Sequence, residues 1–297
     1  MGFKSGFVTV IGRTNVGKSS IINRIIGEKV SAVANKTQTT RKNVKGILNT
    51  DNAQIIFIDT PGIHKPKSKL SNVMIDDAIG SIPDVDVIVY VVDSTTYSID
   101  ENTFEKIKAA KKPTILVINK IDLVDANTVA DTIEKYKDLY DFKAIIPTSV
   151  EKNKNIDEIV KEIENNLEEG PAYYDTEMYT DQNLRELAEE TIREKALKLL
   201  KDEVPHGILV ECTKMKSRKT KENERIYDVE ATINCLRESH KGIIIGKGGA
   251  MLKKIGSFAR QDLEKMFDTK INLKLWVKVK EDWINDSNII KRFKSED

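Results

Sequence analysis

Five short apolar runs recur through the first half of the chain: FVTVI at 7–11, QIIFID at 54–59, VDVIVYVVD at 85–93, PTILVIN at 113–119 and KAIIPTS at 143–149. They are rich in β-branched residues, too short for helices and apolar at odd and even positions alike. That pattern predicts parallel strands buried on both faces. Asp86 interrupts the third run near its start. Segments with helical apolar spacing, such as KSSIINRIIG (18–27) and ENTFEKIKAAKK (101–112), lie between the runs, and 42–48 reads as an added edge strand. The prediction is a doubly wound α/β domain, which binds ligands beyond the carboxyl ends of its strands.

The pattern breaks at Glu169-Gly170-Pro171, a turn signal. Residues 181–202 then predict one amphipathic helix with Leu184, Leu187, Ala188, Ile192, Leu199 and Leu200 along its apolar stripe. Two strand-like segments follow (GILVECTKM and RIYDVEATINCL), then a glycine-rich loop, a helix from about Ala250 and a strand near 271–279. The division is therefore 1–170, a linker at 171–180, and a smaller α+β domain with its tail over 181–297.

Composition narrows the class. Hydrophobic residues at 39% and charged residues at 32% of 297 fit a folded protein with a solvated surface. No apolar run is long enough to span a bilayer, and the N-terminal MGFKSGFVTVIG enters a strand without a signal-peptide pattern. Two cysteines, Cys212 and Cys235, make a disulfide scaffold implausible and point to a reducing cytoplasm. His64, His206 and His240 are too scattered for a zinc site. The net charge of +1 hides an asymmetry: residues 1–205 hold 28 Lys/Arg against 33 Asp/Glu, and residues 206–297 hold 20 against 14. A basic second part hints at a nucleic-acid partner, although ordinary surface variation gives the same count.

Three motifs carry chemistry, each at a strand end. Gly12-Arg13-Thr14-Asn15-Val16-Gly17-Lys18-Ser19, with Ser20 after it, matches GxxxxGK[ST] between a strand and a helix. Its backbone N–H groups would curl around phosphate oxygens at a helix N-terminus, Lys18 would reach the β- and γ-phosphates, and the Ser19 hydroxyl would ligate Mg²⁺. In Asp59-Thr60-Pro61-Gly62, Asp59 would hold Mg²⁺ through water and the Gly62 N–H would approach the γ-phosphate. Asn119-Lys120-Ile121-Asp122 selects the base, because the Asp122 carboxylate can accept from both N1–H and the exocyclic amine of guanine. Ser149 and Val150, after the last strand, could present N–H groups to guanine O6, and within Lys36–Arg41 the favoured further Mg²⁺ ligand is Thr40. The expected ligands are GTP, GDP and Mg²⁺.

With these motifs the chain resembles the Era family, bacterial GTPases of small-ribosomal-subunit assembly, over nearly its whole length. The resemblance rests on GRTNVGKS, QTTR, DTPG, NKID, Ile243-Ile244-Ile245-Gly246-Lys247-Gly248-Gly249 with MLKKIG after it, and LKLWVKVKEDW at 273–283. It implies an α/β P-loop GTPase domain followed by a KH-type RNA-binding domain. It also implies a nucleotide-switched monomer that binds the 3′ end of small-subunit rRNA within a maturing small ribosomal subunit. Gly246, Lys247, Gly248 and Gly249 match the GxxG loop with which KH domains clamp about four nucleotides, and Lys253 and Lys254 could add phosphate contacts. The apolar residues around the loop, Ile243 to Ile245, Met251, Leu252 and Ile255, are expected to anchor it. The family's fifth nucleotide element has Ser-Ala, and Val150 replaces that alanine.

The residue after DTPG is Ile63, where Ras-like switches carry a glutamine that orients water. Slow intrinsic hydrolysis is expected, resting on positioning by Gly62, on Lys18 and Mg²⁺, and on Asn15, which resembles the asparagine with which related GTPases bind K⁺. Two other readings stay open. One is an RNA-binding protein that holds GTP or GDP as a structural ligand. The other is a membrane-surface signalling GTPase, given the basic KRFK at 291–294 and the family's weak peripheral association with the inner face of the cell membrane.

Overall fold

The five runs and the edge segment make one six-stranded sheet, with strand order set by the crossovers between them. The structure is a computed structural model that describes residues 2–34, 36, 39–63, 68–201 and 204–293. These residues fall into two compact units, the first drawn from 1–31, 40–181 and 292–297 and the second from 32–39 and 182–291.

In the first unit the strands are β1 (Lys4–Ile11), β2 (Val44–Asn49), β3 (Ala53–Asp59), β4 (Val87–Asp93), β5 (Thr114–Asn119) and β6 (Ala144–Pro147), in the order β2-β3-β1-β4-β5-β6. All neighbours are parallel except β2, which runs antiparallel to β3 at the edge. The helices are α1 (Lys18–Ile26), α2 (Lys69–Gly80), α3 (Glu101–Ala110), α4 (Ala126–Lys137) and α5 (Ile156–Asn166). One sheet face buries Val8, Val10, Ile55, Phe57, Val89 and Val117 against Ile21 and Ile22 of α1 and Ile159 and Ile163 of α5. The other buries Ile88, Tyr90, Leu116 and Ile118 against Phe104, Ile107 and Tyr136 of α3 and α4. Both parities of β1, β3, β4 and β5 are buried, which is why those runs show no alternation.

Two polar residues inside these runs have structural partners. Asp86 lies just before β4, and its carboxylate accepts the Phe7 N–H at 2.7 Å. Gln54 is fully buried; its side chain accepts from the N–H groups of Tyr173 and Tyr174 (2.7 and 2.9 Å) and donates to the Tyr174 carbonyl at 2.9 Å. Residues 171–181 thus lie along the sheet edge, where the Ile47 N–H also donates to the Tyr179 carbonyl at 2.9 Å.

The second unit contains α6 (Leu184–Leu199), β7 (Leu209–Lys219), β8 (Arg225–Cys235), α7 (Glu238–Ile245), α8 (Ala250–Met266), β9 (Lys270–Val279) and the short α9 (Ser287–Ile290). Its sheet has the order β7-β8-β9, antiparallel then parallel, with a bulge between Cys212 and Lys214. Helix α6 begins on a capping box between Asn183 and Glu186. Its buried stripe differs from the expected one. Leu184 is exposed, whereas Arg193 and Glu194 are buried. Arg193 pairs with Glu190 and donates to the Thr39 carbonyl, while Glu194 pairs with Lys198 at 2.6 Å and accepts the Val33 N–H at 3.2 Å. Charge at these positions is buried because the Val33 N–H and the Thr39 carbonyl supply backbone partners, which helical periodicity alone does not reveal.

Candidate nucleotide and nucleic-acid sites

The loop between β1 and α1 wraps a space above the sheet's carboxyl end. Gly17 has φ +104°, and a Cβ there would meet the Asn119 amide at 2.2 Å. That amide donates instead to the Val16 carbonyl at 2.8 Å, so the base-reading motif braces the phosphate-binding loop. Asn15, also left-handed at φ 64°, is exposed, and Ser20 is half-buried in the first turn of α1. The exposed Arg13 turns away and donates to the Ser98 hydroxyl. Thr14 and Ile63 pair through backbone, with the Thr14 N–H on the Ile63 carbonyl at 3.4 Å and the Ile63 N–H on the Gly12 carbonyl at 3.2 Å. This ladder fixes Gly62 beside the loop. It also places the Ile63 side chain in the core with Ile11 and Tyr90, where it cannot orient a water. His64, next in sequence, lies outside the described residues.

Lys18 is buried, and its ammonium folds back onto the carbonyls of Gly12 and Arg13 at 3.1 Å each. Burial lowers its pKa to about 8 against the pull of the Asp59 carboxylate. A polyphosphate in this loop would supply the counter-charge that the protein alone does not.

Ser19, Thr40 and Asp59 lie together. The Ser19 hydroxyl donates to Asp59 Oδ2 at 2.6 Å and lies 3.0 Å from the Thr40 hydroxyl, which lies 3.3 Å from the same carboxylate oxygen. Asp59 is fully buried, its pKa is raised by that burial, and among the described residues its Oδ1 has no hydrogen bond within normal geometry. An unsatisfied buried carboxylate oxygen beside two hydroxyls is an all-oxygen donor set that fits Mg²⁺.

On the base side, Lys120 is left-handed at φ 66°, and its ammonium lies 2.5 Å from Asp93. The Asp122 carboxylate accepts the Ser149 hydroxyl at 2.6 Å. The Ser149 N–H donates to the Lys154 carbonyl at 3.2 Å. Asp93 and the orienting role of the Ser149 hydroxyl were not read from the sequence. Asp93 ends β4 in register with Asn119, and only strand pairing brings it to Lys120.

In the second unit, Gly246–Gly249 turn between α7 and α8 with φ +72°, +58° and +80° at the three glycines. Lys247, Lys253 and Lys254 are exposed around this turn, and Arg260, further along α8, pairs with Glu264 at 3.2 Å. Of the expected anchors, Ile244 and Ile255 are buried, Ile245, Met251 and Leu252 are half-buried, and Ile243 is exposed. The reason is geometric: the short helix α7 turns only one of its three consecutive isoleucines fully into the core. Met251 and Leu252, like Leu275 and Val277 of β9, pack against the buried core of this unit. A half-buried apolar row beside a glycine loop can receive planar bases while the loop holds their phosphates.

Both parts of the chain resemble known proteins. Residues 7–120 match the family model described as a 50S ribosome-binding GTPase, and residues 203–284 match the KH domain model. The chain is 48% identical to the GTPase Era of Ruminiclostridium cellulolyticum over 293 residues, covering 98% of this chain and 97% of that protein. It is 49% identical to the GTPase Era of Clostridium tetani over 292 residues, covering 97% and 98%. Two solved structures superpose over nearly the full length at 40% identity. One is a variant of Aquifex aeolicus Era bound to GDP·AlF4⁻, at a TM-score of 0.92, covering 98% of this chain and 99% of that one. The other is Era in complex with MgGDPNP and nucleotides 1506–1542 of 16S ribosomal RNA, at a TM-score of 0.93, covering 98% of each chain.

Proposed function

This chain belongs to the Era family of GTPases, and on that premise we propose that it is a GTP-hydrolysing switch that binds the 3′ end of small-subunit ribosomal RNA and acts in maturation of the small ribosomal subunit. The observation that carries the reading is one chain with a complete guanine-nucleotide site and, in a separate unit, an exposed Gly246-Lys247-Gly248-Gly249 turn beside an apolar row. The relative bound to both MgGDPNP and 16S rRNA supports the pairing of these two ligands. The reading divides the protein into a GTPase domain over 1–170, a linker at 171–180 and a KH-type domain over 181–297, acting as a monomer in the cytoplasm. Among the described residues, no helix is long and apolar enough to cross a membrane. Weak peripheral contact through Lys291 and Arg292 is the most the tail supports, since Phe293 is buried and Lys294 lies outside the described residues.

In this mechanism the residues from Gly12 to Ser19 hold the phosphates, Lys18 faces the β- and γ-oxygens, and Gly62 closes on the γ-phosphate. Ser19, Thr40 and Asp59 hold Mg²⁺, which neutralises charge developing on the transferred phosphoryl group. Asp122, held by Ser149, and Asn119, held at Val16, select guanine. With its side chain in the core, Ile63 cannot take the glutamine's role. Asn15 is exposed on the loop, and we assign it a K⁺ beside the phosphates. Turnover should then be ~10-fold or more faster in KCl than in NaCl, with the difference lost in Asn15→Ala. Equal turnover in the two salts would remove this assignment.

The decisive experiment measures binding to an RNA copying the small-subunit 3′ end, with GDP or a GTP analogue, for the natural chain and Gly248→Asp. Position 248 is open space in a left-handed conformation that Asp tolerates, so the variant should fold and place a negative charge on the loop. RNA affinity should fall at least ~10-fold through like-charge repulsion, and be higher with the GTP analogue. Binding indifferent to the variant would remove the rRNA assignment and leave the GTPase intact.

A further inference from the structure

The face of the second unit's sheet opposite α6 and α8 is open over part of its area, although Leu209, Thr232 and Asn234 at one end of it are buried. Along β9 the odd positions Ile271, Leu273, Leu275 and Val277 pack into the core beneath α6 and α8, so the even positions project from the opposite side. On that side Trp276 is 43% exposed, between Lys274 and Lys278 two residues away in each direction. Its cross-strand neighbour is Thr232, too small to cover an indole ring. The chain's other tryptophan, Trp283, is fully buried and donates to the Gly207 carbonyl at 3.0 Å, as a structural tryptophan does. Trp276 has no comparable structural role.

The charges on this face are unequal. Its three carboxylates are already neutralised: Glu230 by Lys214 at 3.0 Å, Asp228 by Arg218 at 2.7 Å, and Glu211 by Lys280 at 3.7 Å. Lys216, Lys274 and Lys278 are exposed and, among the described residues, carry no ion pair. An exposed aromatic ring amid surplus cations on an open sheet suits a polyanion with planar groups along it. Sheets that bind RNA combine base stacking on aromatic side chains with phosphate contacts from lysine in this way. A protein partner would need either an apolar patch wider than one ring or a strongly acidic surface.

We propose that the open face of the β7-β8-β9 sheet is a second RNA-contact surface, on which Trp276 stacks a base and Lys216, Lys274 and Lys278 contact phosphates. The glycine loop lies between α7 and α8 on the helical side of this unit, so one RNA strand would have to pass an edge of the sheet to reach both surfaces. The inference rests on the RNA-binding reading above and extends it to a longer footprint.

The test uses the full chain and two RNAs, a ten-nucleotide segment from the rRNA 3′ end and the 37-nucleotide segment that contains it. For the longer RNA, Trp276→Ala should lower affinity by ~5- to 150-fold, while Trp276→Phe keeps most of it. Lys274→Glu with Lys278→Glu should reduce the slope of log affinity against log salt by ~0.7 per lysine removed. Tryptophan emission should be quenched by the longer RNA in the natural chain and not in Trp276→Phe, because only the buried Trp283 then remains. Unchanged affinity in Trp276→Ala, with Gly248→Asp still losing RNA, would overturn the second surface and keep the loop. Loss of affinity without quenching would also overturn it, since stacking would then be absent. If neither RNA binds the natural chain, this inference and the rRNA assignment fall together.

Discussion

Replacing Asp122 with asparagine is expected to weaken guanine-nucleotide binding by ~10⁴-fold and to transfer preference to xanthine nucleotides. The carboxylate is an acceptor at both oxygens, and guanine offers two parallel donors, N1–H and the 2-amine. Asparagine keeps one acceptor but turns an amine toward the guanine amine, so two donors face each other and neither is satisfied. Xanthine has a carbonyl at that carbon, and the amide then matches both positions. The substitution should leave the fold intact. Asp122 is largely exposed at the surface of a short 3-10 turn, Ile121–Leu123, and the Ser149 hydroxyl that donates to it at 2.6 Å can donate to an amide oxygen equally well. Competition between GDP and xanthosine diphosphate for a fluorescent nucleotide would check the result. Equal loss of both would mean that Asp122 supports the loop rather than reads the base.

The same residues show what was legible in the sequence. A motif is visible when its function depends on backbone conformation and spacing along one segment, as in the loop from Gly12 to Ser19 or the turn from Gly246 to Gly249. Strands were visible because burial on both faces leaves a continuous apolar run, and β1, β3, β4 and β5 were each readable to within a few residues. Helix α2 is not legible in the sequence, because only Leu70, Ser71, Met74 and Ala78 of its twelve residues are buried and two of these are small. Partners far apart in sequence were not legible either. Asp93 reaches Lys120 only through the register of β4 with β5, and Ser149 reaches Asp122 only because β6 lies beside β5. Gln54 is polar in a buried strand because residues 173 and 174 return to it.

Ile63 reverses the usual inference from a motif. The sequence shows that a glutamine is missing; the structure shows why an aliphatic residue stands there, as part of the core beside Ile11 and Tyr90, with its backbone paired to Gly12 and Thr14. The position ties the loop after β1 to Gly62 through backbone, and under the proposed mechanism the catalytic demand shifts to charge: Lys18, Mg²⁺ at Ser19, Thr40 and Asp59, and the K⁺ proposed at Asn15.

That demand makes Lys18→Met the most informative stability experiment. Turnover should drop by at least ~10²- to 10³-fold, the scale of losing one preorganised charge stabiliser in a phosphate site. Stability of the nucleotide-free protein should move the other way, unchanged or raised by up to ~3 kcal/mol at pH 7. The reasoning follows from burial: the ammonium's pKa is lowered from 10.5 to about 8 even with Asp59 nearby, so its charged form is held at a cost that an apolar side chain of similar length avoids. The two carbonyls it now contacts lose a donor, which offsets part of the gain. The pH dependence carries the sign. Between pH 8 and 10.5 the unfolded chain keeps a proton on Lys18 that the folded chain has released, so this lysine makes natural-chain stability rise with pH across that window. The variant lacks this contribution, and the gap between the two proteins should close. Urea unfolding of nucleotide-free protein at pH 7 and pH 9.5 would measure it. A variant less stable than the natural chain at pH 7, or a gap that does not narrow, would show that Lys18 holds the loop together. The expected opposite signs would show that its position answers to the bound phosphates and is maintained against the preference of the fold.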